Sequence, residues 1–276
     1  MAVLSISSKY KTGATEIALE LEKDLGYSFI RLGGRGGLLH KANQLAKKMK
    51  LVSAEDGKAL MNHTGENEFI SFMSLVQSVI YDQAANDNVI ILSRGGNYLL
   101  KDIPHVLRIR VEASVEYRIG QFMAKEEISH ETARLLMKQA DREIDCTIYE
   151  LFGKGWSNPE AYDMEFHVPK QSHKTITEMV KNFLLTKDAL KTPEAVELLR
   201  LKSLAAKVKA KVAVNPAFYA TTLDLEITGN GILLRGLVRG NAGQQKIEKD
   251  ALKIAGATPL ICELSCYPLK KSAAPT

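Results

Sequence analysis

The run Val89-Ile90-Ile91-Leu92 sets the tightest limit on the architecture of this chain. A strand with one wet face alternates apolar and polar residues. A continuous apolar run reads as a strand buried on both faces, which is what a parallel sheet covered by helices demands. Its neighbours agree. Val3 to Ile6, Tyr27 to Leu32, Val106 to Val111 and Met164 to Val168 also read as strands, and helical periods lie between them. Ile17, Leu21 and Leu25 recur at helical spacing in Glu16 to Leu25, and Phe69, Phe72, Met73, Val76, Val79 and Ile80 form an apolar face on Glu68 to Ala85. Ser114 is placed to cap a helix through Met123 and Ser129 to cap a longer one, and Lys174 to Leu185 reads as a closing helix. The alternation predicts an α/β fold, a three-layer open parallel sheet with helices on both faces.

The composition shifts near Lys187. From Pro193 a Lys-rich helix runs to about Val212, then strand Leu223 to Ile227, a turn at Gly229-Asn230-Gly231, strand Ile232 to Val238, helix Gly243 to Ile254 and strand Leu260 to Cys266. The expected division is therefore an open-sheet α/β unit over 1–186, a linker over 187–192, a small αββαβ unit over 193–269 and a flexible tail over 270–276. A length of 276 residues suits one large unit and one small one.

With 45% apolar and 25% charged residues, the chain is neither collagen-like, mucin-like nor wholly disordered. The net charge of +5 permits phosphate-bearing small molecules, acidic surfaces or nucleic acid and demands none of them. No dense basic patch is interleaved with aromatic residues, so there is no strong nucleic-acid signal. The opening MAVLSISSKYKTG lacks a secretory leader's pattern, and no window approaches a membrane span, so the expected location is cytoplasmic. Cys146, Cys262 and Cys266 suit a reducing compartment better than a disulfide framework, and the C-x3-C pair without a nearby histidine leaves a zinc site short of ligands.

Two polar clusters carry chemistry. The first is the loop between strand Val3 to Ile6 and the following helix, where phosphate-loop enzymes bind anions on backbone N–H groups and the helix dipole. In the pattern G-x4-G-K-[ST], the four specified positions fall on Ser8, Gly13, Ala14 and Thr15, so only the second glycine and the hydroxyl are present. Ala14 removes the lysine that neutralises charge on a transferred phosphoryl group. Lys9 or Lys11 compensates if the loop turns them inward; otherwise both are solvent-facing. The second cluster is Ser93-Arg94-Gly95-Gly96-Asn97, at the carboxyl end of a strand, where open sheets gather ligands. Arg94 is suited to forking onto a phosphate, and the glycines either admit a ligand or simply make a turn.

Arg118, Arg134 and Arg142 lie on the two following helices, either reaching over a ligand or forming solvated faces. Asp141 and Asp145, four apart, share a helical face and either orient an arginine, hold magnesium through water, or pair with neighbouring cations. Arg108 and Arg110 share one strand face and must find acids or solvent.

The stretches from Leu4 to Ala18, Val89 to Leu100 and Val111 to Ile119, with Asp141-Arg142-Glu143, Phe152 to Trp156 and Pro159 to Asp163, resemble the cytidylate kinase-like family in sequence order over roughly residues 1 to 185. The resemblance implies a P-loop nucleoside-monophosphate kinase fold that transfers the γ-phosphoryl group of ATP, with Mg2+, to a cytidylate-like acceptor. By position it implies that Ser8, Lys9, Lys11, Thr12, Gly13, Ala14 and Thr15 cradle the donor phosphates. Arg94 would contact the acceptor, Arg118, Arg134 and Arg142 would belong to a mobile lid and phosphate clamp, and Asp145 would be an orienting acid. The alternative is a catalytically degenerate regulatory or scaffold protein that binds a nucleotide or other anionic ligand. Glu150 supports it, since it puts an acid where the family favours positive charge. Residues Pro193 to Tyr267 resemble a BON domain through Ala206 to Lys209, Asn215-Pro216, Asn230-Gly231, Leu233 to Val238 and Ala255-Gly256. That resemblance implies a lipid or protein partner for the C-terminal unit. Lys202, Lys207, Lys209 and Lys211 either meet an anionic surface or are the solvated face of a helix, the simpler account.

Overall fold

The computed structural model describes residues 2–51, 66–215, 217–219 and 222–267. By contacts the chain divides into two compact units, Met1–Gly37 with Gln83–Val196, and Leu38–Asp82 with Glu197–Thr276.

The first unit holds an all-parallel sheet of five strands: β1 (Val3–Ser8), β2 (Ser28–Arg31), β3 (Val89–Leu92), β4 (Val106–Ala113) and β5 (Met164–Val168), in the order β2-β3-β1-β4-β5. The continuous apolar runs lie where burial requires them, with β1 and β3 in the middle of the sheet and Leu4, Ile6, Ile90 and Ile91 fully buried. Helices α1 (Ala14–Leu25) and α7 (His173–Asp188) pack against the sheet through Ile17, Ala18 and Leu21 and through Ile176, Val180 and Leu184, in one core with Leu107, Ile109, Val111 and Phe166. At about 25 cal/mol per Å² of apolar surface removed from water, each of the larger side chains, Ala18 apart, contributes on the order of 2 kcal/mol.

Helices α5 (Val115–Met123) and α6 (His130–Phe152) begin where the sequence places their caps. The Ser114 and Ser129 hydroxyls accept from Tyr117 N and Thr132 N. They close on each other through Ile119, Phe122, Ala133 and Met137. The four-residue helix α4 (Gly96–Leu99) lies outside the sequence reading, being too short for any period to show.

In the second unit α8 (Pro193–Ala213) is followed by β6 (Asp224–Thr228), β7 (Gly231–Arg239), α9 (Gly240–Ala255) and β8 (Leu260–Tyr267), the expected αββαβ order. β6 and β7 form an antiparallel hairpin, and α9 carries the crossover that leaves β8 parallel to β7. Val208, Val212, Leu234, Val238, Ile247 and Ala251 form its core. This unit also takes in α2 (Leu38–Lys48), which the sequence reading passed over, and most of α3 (Glu66–Ala85). Three bonds tie α3 to α8: Ser71 Oγ donates to Ala210 O at 2.8 Å, Ser203 Oγ to Asp82 at 2.6 Å, and Lys207 pairs with Asp82 at 2.9 Å. The contacts thus group residues 38–82 with residues 197–276. The lysines of α8 are half-buried rather than a free solvated face, and burial pulls Lys209 below the ordinary lysine range, with Asp224 acting in the opposite sense. No helix among the described residues is long and apolar enough to cross a membrane.

Candidate functional site

The strand order makes β1 the point where the chain reverses direction across the sheet, so the loops leaving β1 and β3 lie side by side at the carboxyl edge. Ser93 N donates to Ile6 O at 3.1 Å, which fastens the two loops at their roots. Between them opens a cavity of about 410 Å³, lined on one side by residues 8–16 and on the other by Arg31, Leu92, Ser93 and Arg94, with Tyr117, Gln121, Lys125 and His173 at its margins. Every loop residue named from the sequence, Ser8, Lys9, Lys11, Thr12, Gly13, Ala14 and Thr15, lines it.

Gly13 caps α1 at φ +90, a left-handed conformation in which a side chain is strained, and the space is closed as well. A Cβ built there would lie 2.6 Å from His173 Nε2. The first N–H groups of α1 have no partner within the helix and open onto the cavity, as an anion site requires.

The loop lysines are engaged elsewhere. Lys9 Nζ lies 3.9 Å from Asp141 and 3.7 Å from Asp145 and stands 5.0 Å from the centre of the Trp156 ring. Lys11 Nζ lies over the Tyr10 and Phe122 rings. Arg118 is buried and makes a bidentate pair with Asp141 at 2.7 and 2.8 Å, with a further bond to Tyr10 O at 3.4 Å. It therefore ties α5, α6 and the loop together instead of presenting a free charge. Arg134 and Arg142 are exposed, line no part of the cavity, and make no hydrogen bond or ion pair among the described residues. Asp145 is exposed at the Lys9 pair. The three arginines of the two helices are thus not brought together.

Arg94 is the contrast. It lines the cavity, is half-buried, and among the described residues makes no hydrogen bond or ion pair. Burial lowers its pKa from the ordinary guanidinium value, with Glu143 pulling it back up. Next to it the Ser93 hydroxyl is buried and has no partner among the described residues. Gly95, at φ +88, gives Arg94 its setting, since a Cβ there would meet the Phe152 ring at 2.4 Å.

Two contributors escaped the sequence reading. Trp156 is fully buried beneath the loop, its Nε1 donating to Ser7 Oγ at 2.9 Å, and it carries Arg110 as well as Lys9 on its ring. His173, at the start of α7, stands against Gly13. Trp156 ends the Phe152 to Trp156 stretch and His173 belongs to no local motif; the contact of each with the loop comes from the pairing of β5 with β4 and the packing of α7 against α1.

Asp141 and Asp145 share a face as expected, but their oxygens are taken by Arg118 and Lys9, so they offer no open set of magnesium ligands. The group among the described residues with metal-ligand spacing, Glu112, Glu165 and His167, lies on β4 and β5, and Arg110 occupies it at 2.6 Å from Glu165 and 3.6 Å from Glu112. Arg108 finds its acid in Asp163 at 3.0 Å.

The sheet order and the loop-to-helix cavity define a P-loop kinase-like α/β protein. Residues 3–170 match the model of the cytidylate kinase-like family, and the chain belongs to that family. Its class is therefore nucleotide-binding and kinase-like. No curated protein matches the sequence. Among solved structures, an uncharacterised protein from Eubacterium ventriosum aligns at 14% identity and a TM-score of 0.52, over 67% of this chain and 98% of the other. Shikimate kinase from Acinetobacter baumannii, solved with shikimate, aligns at 10% identity and a TM-score of 0.39, over 69% and 96%. The first likeness concerns the fold alone.

Proposed function

We propose that the chain moves the γ-phosphoryl group of ATP, carried with Mg2+, to a nucleoside monophosphate of the cytidylate type. The observation that carries this reading is Arg94, unpaired among the described residues and facing the anion loop across one cavity, in a chain of the cytidylate kinase-like family. The α1 N-terminus and loop amides would hold the donor phosphates, and Arg94 the acceptor phosphate. An acceptor phosphate oxygen would bond to the γ-phosphorus as the bond to the β–γ bridging oxygen breaks, leaving ADP and a nucleoside diphosphate. Little covalent chemistry falls to the protein; it aligns the two oxygens and stabilises charge. Among the described residues no carboxylate set in the cavity is open to a metal, so Mg2+ would arrive with the nucleotide.

A second reading, binding without turnover, is favoured by one observation: Ala14 replaces the lysine, and Lys9 is held by Asp141 and Asp145. An ADP-release assay with ATP and Mg2+ against CMP, dCMP, UMP, AMP and GMP, run beside nucleotide-binding measurements, separates the two. Turnover with one acceptor supports transfer, and saturable binding without turnover supports a regulatory or scaffold protein. Neither binding nor turnover defeats both. The resemblance of the C-terminal unit to a BON domain supports a role in engaging a lipid or protein partner, and we assign the protein to the cytoplasm.

A further inference from the structure

We propose that His173 supplies the positive charge missing from the phosphate loop, its imidazole taking up a proton when a nucleotide phosphate enters the cavity. The inference rests on the reading of this cavity as a phosphate site. The lysine position of the loop is Ala14, which is buried and has no charge to offer. Lys9 is held by Asp141 and Asp145, and Lys11 lies over aromatic rings. The ring of His173 stands where a cation is lacking: it lines the cavity, and its Nε2 edge faces Gly13, the residue that caps α1.

Two helix N-termini meet at this ring, that of α1 and that of α7, where His173 is the first residue and the first turn holds no acid. Both dipoles favour an anion placed between them. A phosphate there brings a charge that outweighs the partial charges of the helix ends and favours the protonated ring. An imidazole is the side chain suited to such an exchange, since it changes charge between about pH 5 and 8.

The charged surroundings are mixed. Glu16, in the first turn of α1, interacts with His173 and is itself paired to Lys125 at 2.9 Å. Glu20 lies one turn further along α1. Arg31 and Arg94 stand across the cavity from the loop that carries Lys9 and Lys11, and Lys174 follows on α7. An anion bound among these groups adds the negative charge that favours the protonated ring. Binding and proton uptake are thereby linked, so affinity for the phosphate falls as pH rises.

The test is calorimetric titration of the full chain with ATP and Mg2+ at pH 7, in two buffers of unlike ionisation heat, for the wild type and His173→Gln. The wild type should take up a fraction of a proton that H173Q does not. Its affinity should fall more steeply with rising pH than that of H173Q. A ring signal from histidine-labelled wild type, assigned by its loss in His173→Asn, should titrate at higher pH with nucleotide than without, which reads the same proton without reliance on H173Q folding. Equal uptake in both proteins, or a ring signal unmoved by nucleotide, overturns the role of His173 and leaves the phosphate site standing. Failure to bind at pH 6, 7 and 8 by any method overturns both.

Discussion

At the scale of single residues, the cations of the first unit divide into those already spent and those still available. Arg118 is spent on Asp141, and both are buried enough that parting them is costly. Asp141→Asn should therefore destabilise the protein by about 3 kcal/mol, lowering the melting temperature by roughly 6 to 12 °C. A melting curve unchanged from wild type would show the pair to be incidental. Arg94 is available, and Arg94→Ala should weaken acceptor binding by roughly ten- to a hundredfold, with donor binding little altered; an unchanged acceptor affinity would reject its assignment. Asp163 adds a pH signature. Burial alone would raise its carboxyl, but the hydrogen bonds and charge of Arg108, joined by Lys187, outweigh this and hold it below the ordinary value. Its stabilisation is thus complete above the unfolded-state value near 4 and disappears as pH falls through the lower folded-state value. Urea midpoints of wild type and Asp163→Asn should differ at pH 7 and converge in acid; a gap independent of pH would contradict the linkage. The loop residues and Arg94 were legible because strand ends and glycines mark them. The fate of Arg118 was not, since nothing in the spacing of residues 118 and 141 shows that two helices fold onto each other.

At the scale of elements, the strands of the central sheet were readable because burial on both faces leaves continuous apolar runs, and α6 because Ser129 caps it. α2 was passed over, since it follows a glycine cluster and buries only Leu38, Ala42 and Ala46. Contacts between distant elements escape for a different reason: Trp156 under the loop and His173 on Gly13 are placed by β5 and α7, which come late in the chain. In the second unit β7 carries a close approach at Gly236, where a Cβ would meet the Phe218 ring at 2.4 Å. Gly236→Val should cost about 1–3 kcal/mol through overpacking, read from denaturant midpoints. A neutral effect would mean that the ring has room to move.

At the scale of the whole molecule, the order of elements was legible and the grouping of contacts was not. The sequence presents α3 between two strands of the parallel sheet, yet its serines and Asp82 bond to α8 within the other unit. A fragment of residues 1–186 would leave Ser71, Ser78 and Asp82 without those partners. It should melt lower than the full chain or aggregate, and a fragment as stable as the whole would contradict this grouping. The central claim, that the loop and α1 form a nucleotide-phosphate site, meets its most direct test in equilibrium binding of ATP with Mg2+ to the full chain and to Gly13→Val. The account predicts saturable binding with one nucleotide per chain, lost in G13V while the fold is kept. No binding by the wild type, or equal binding by a folded G13V, would contradict it.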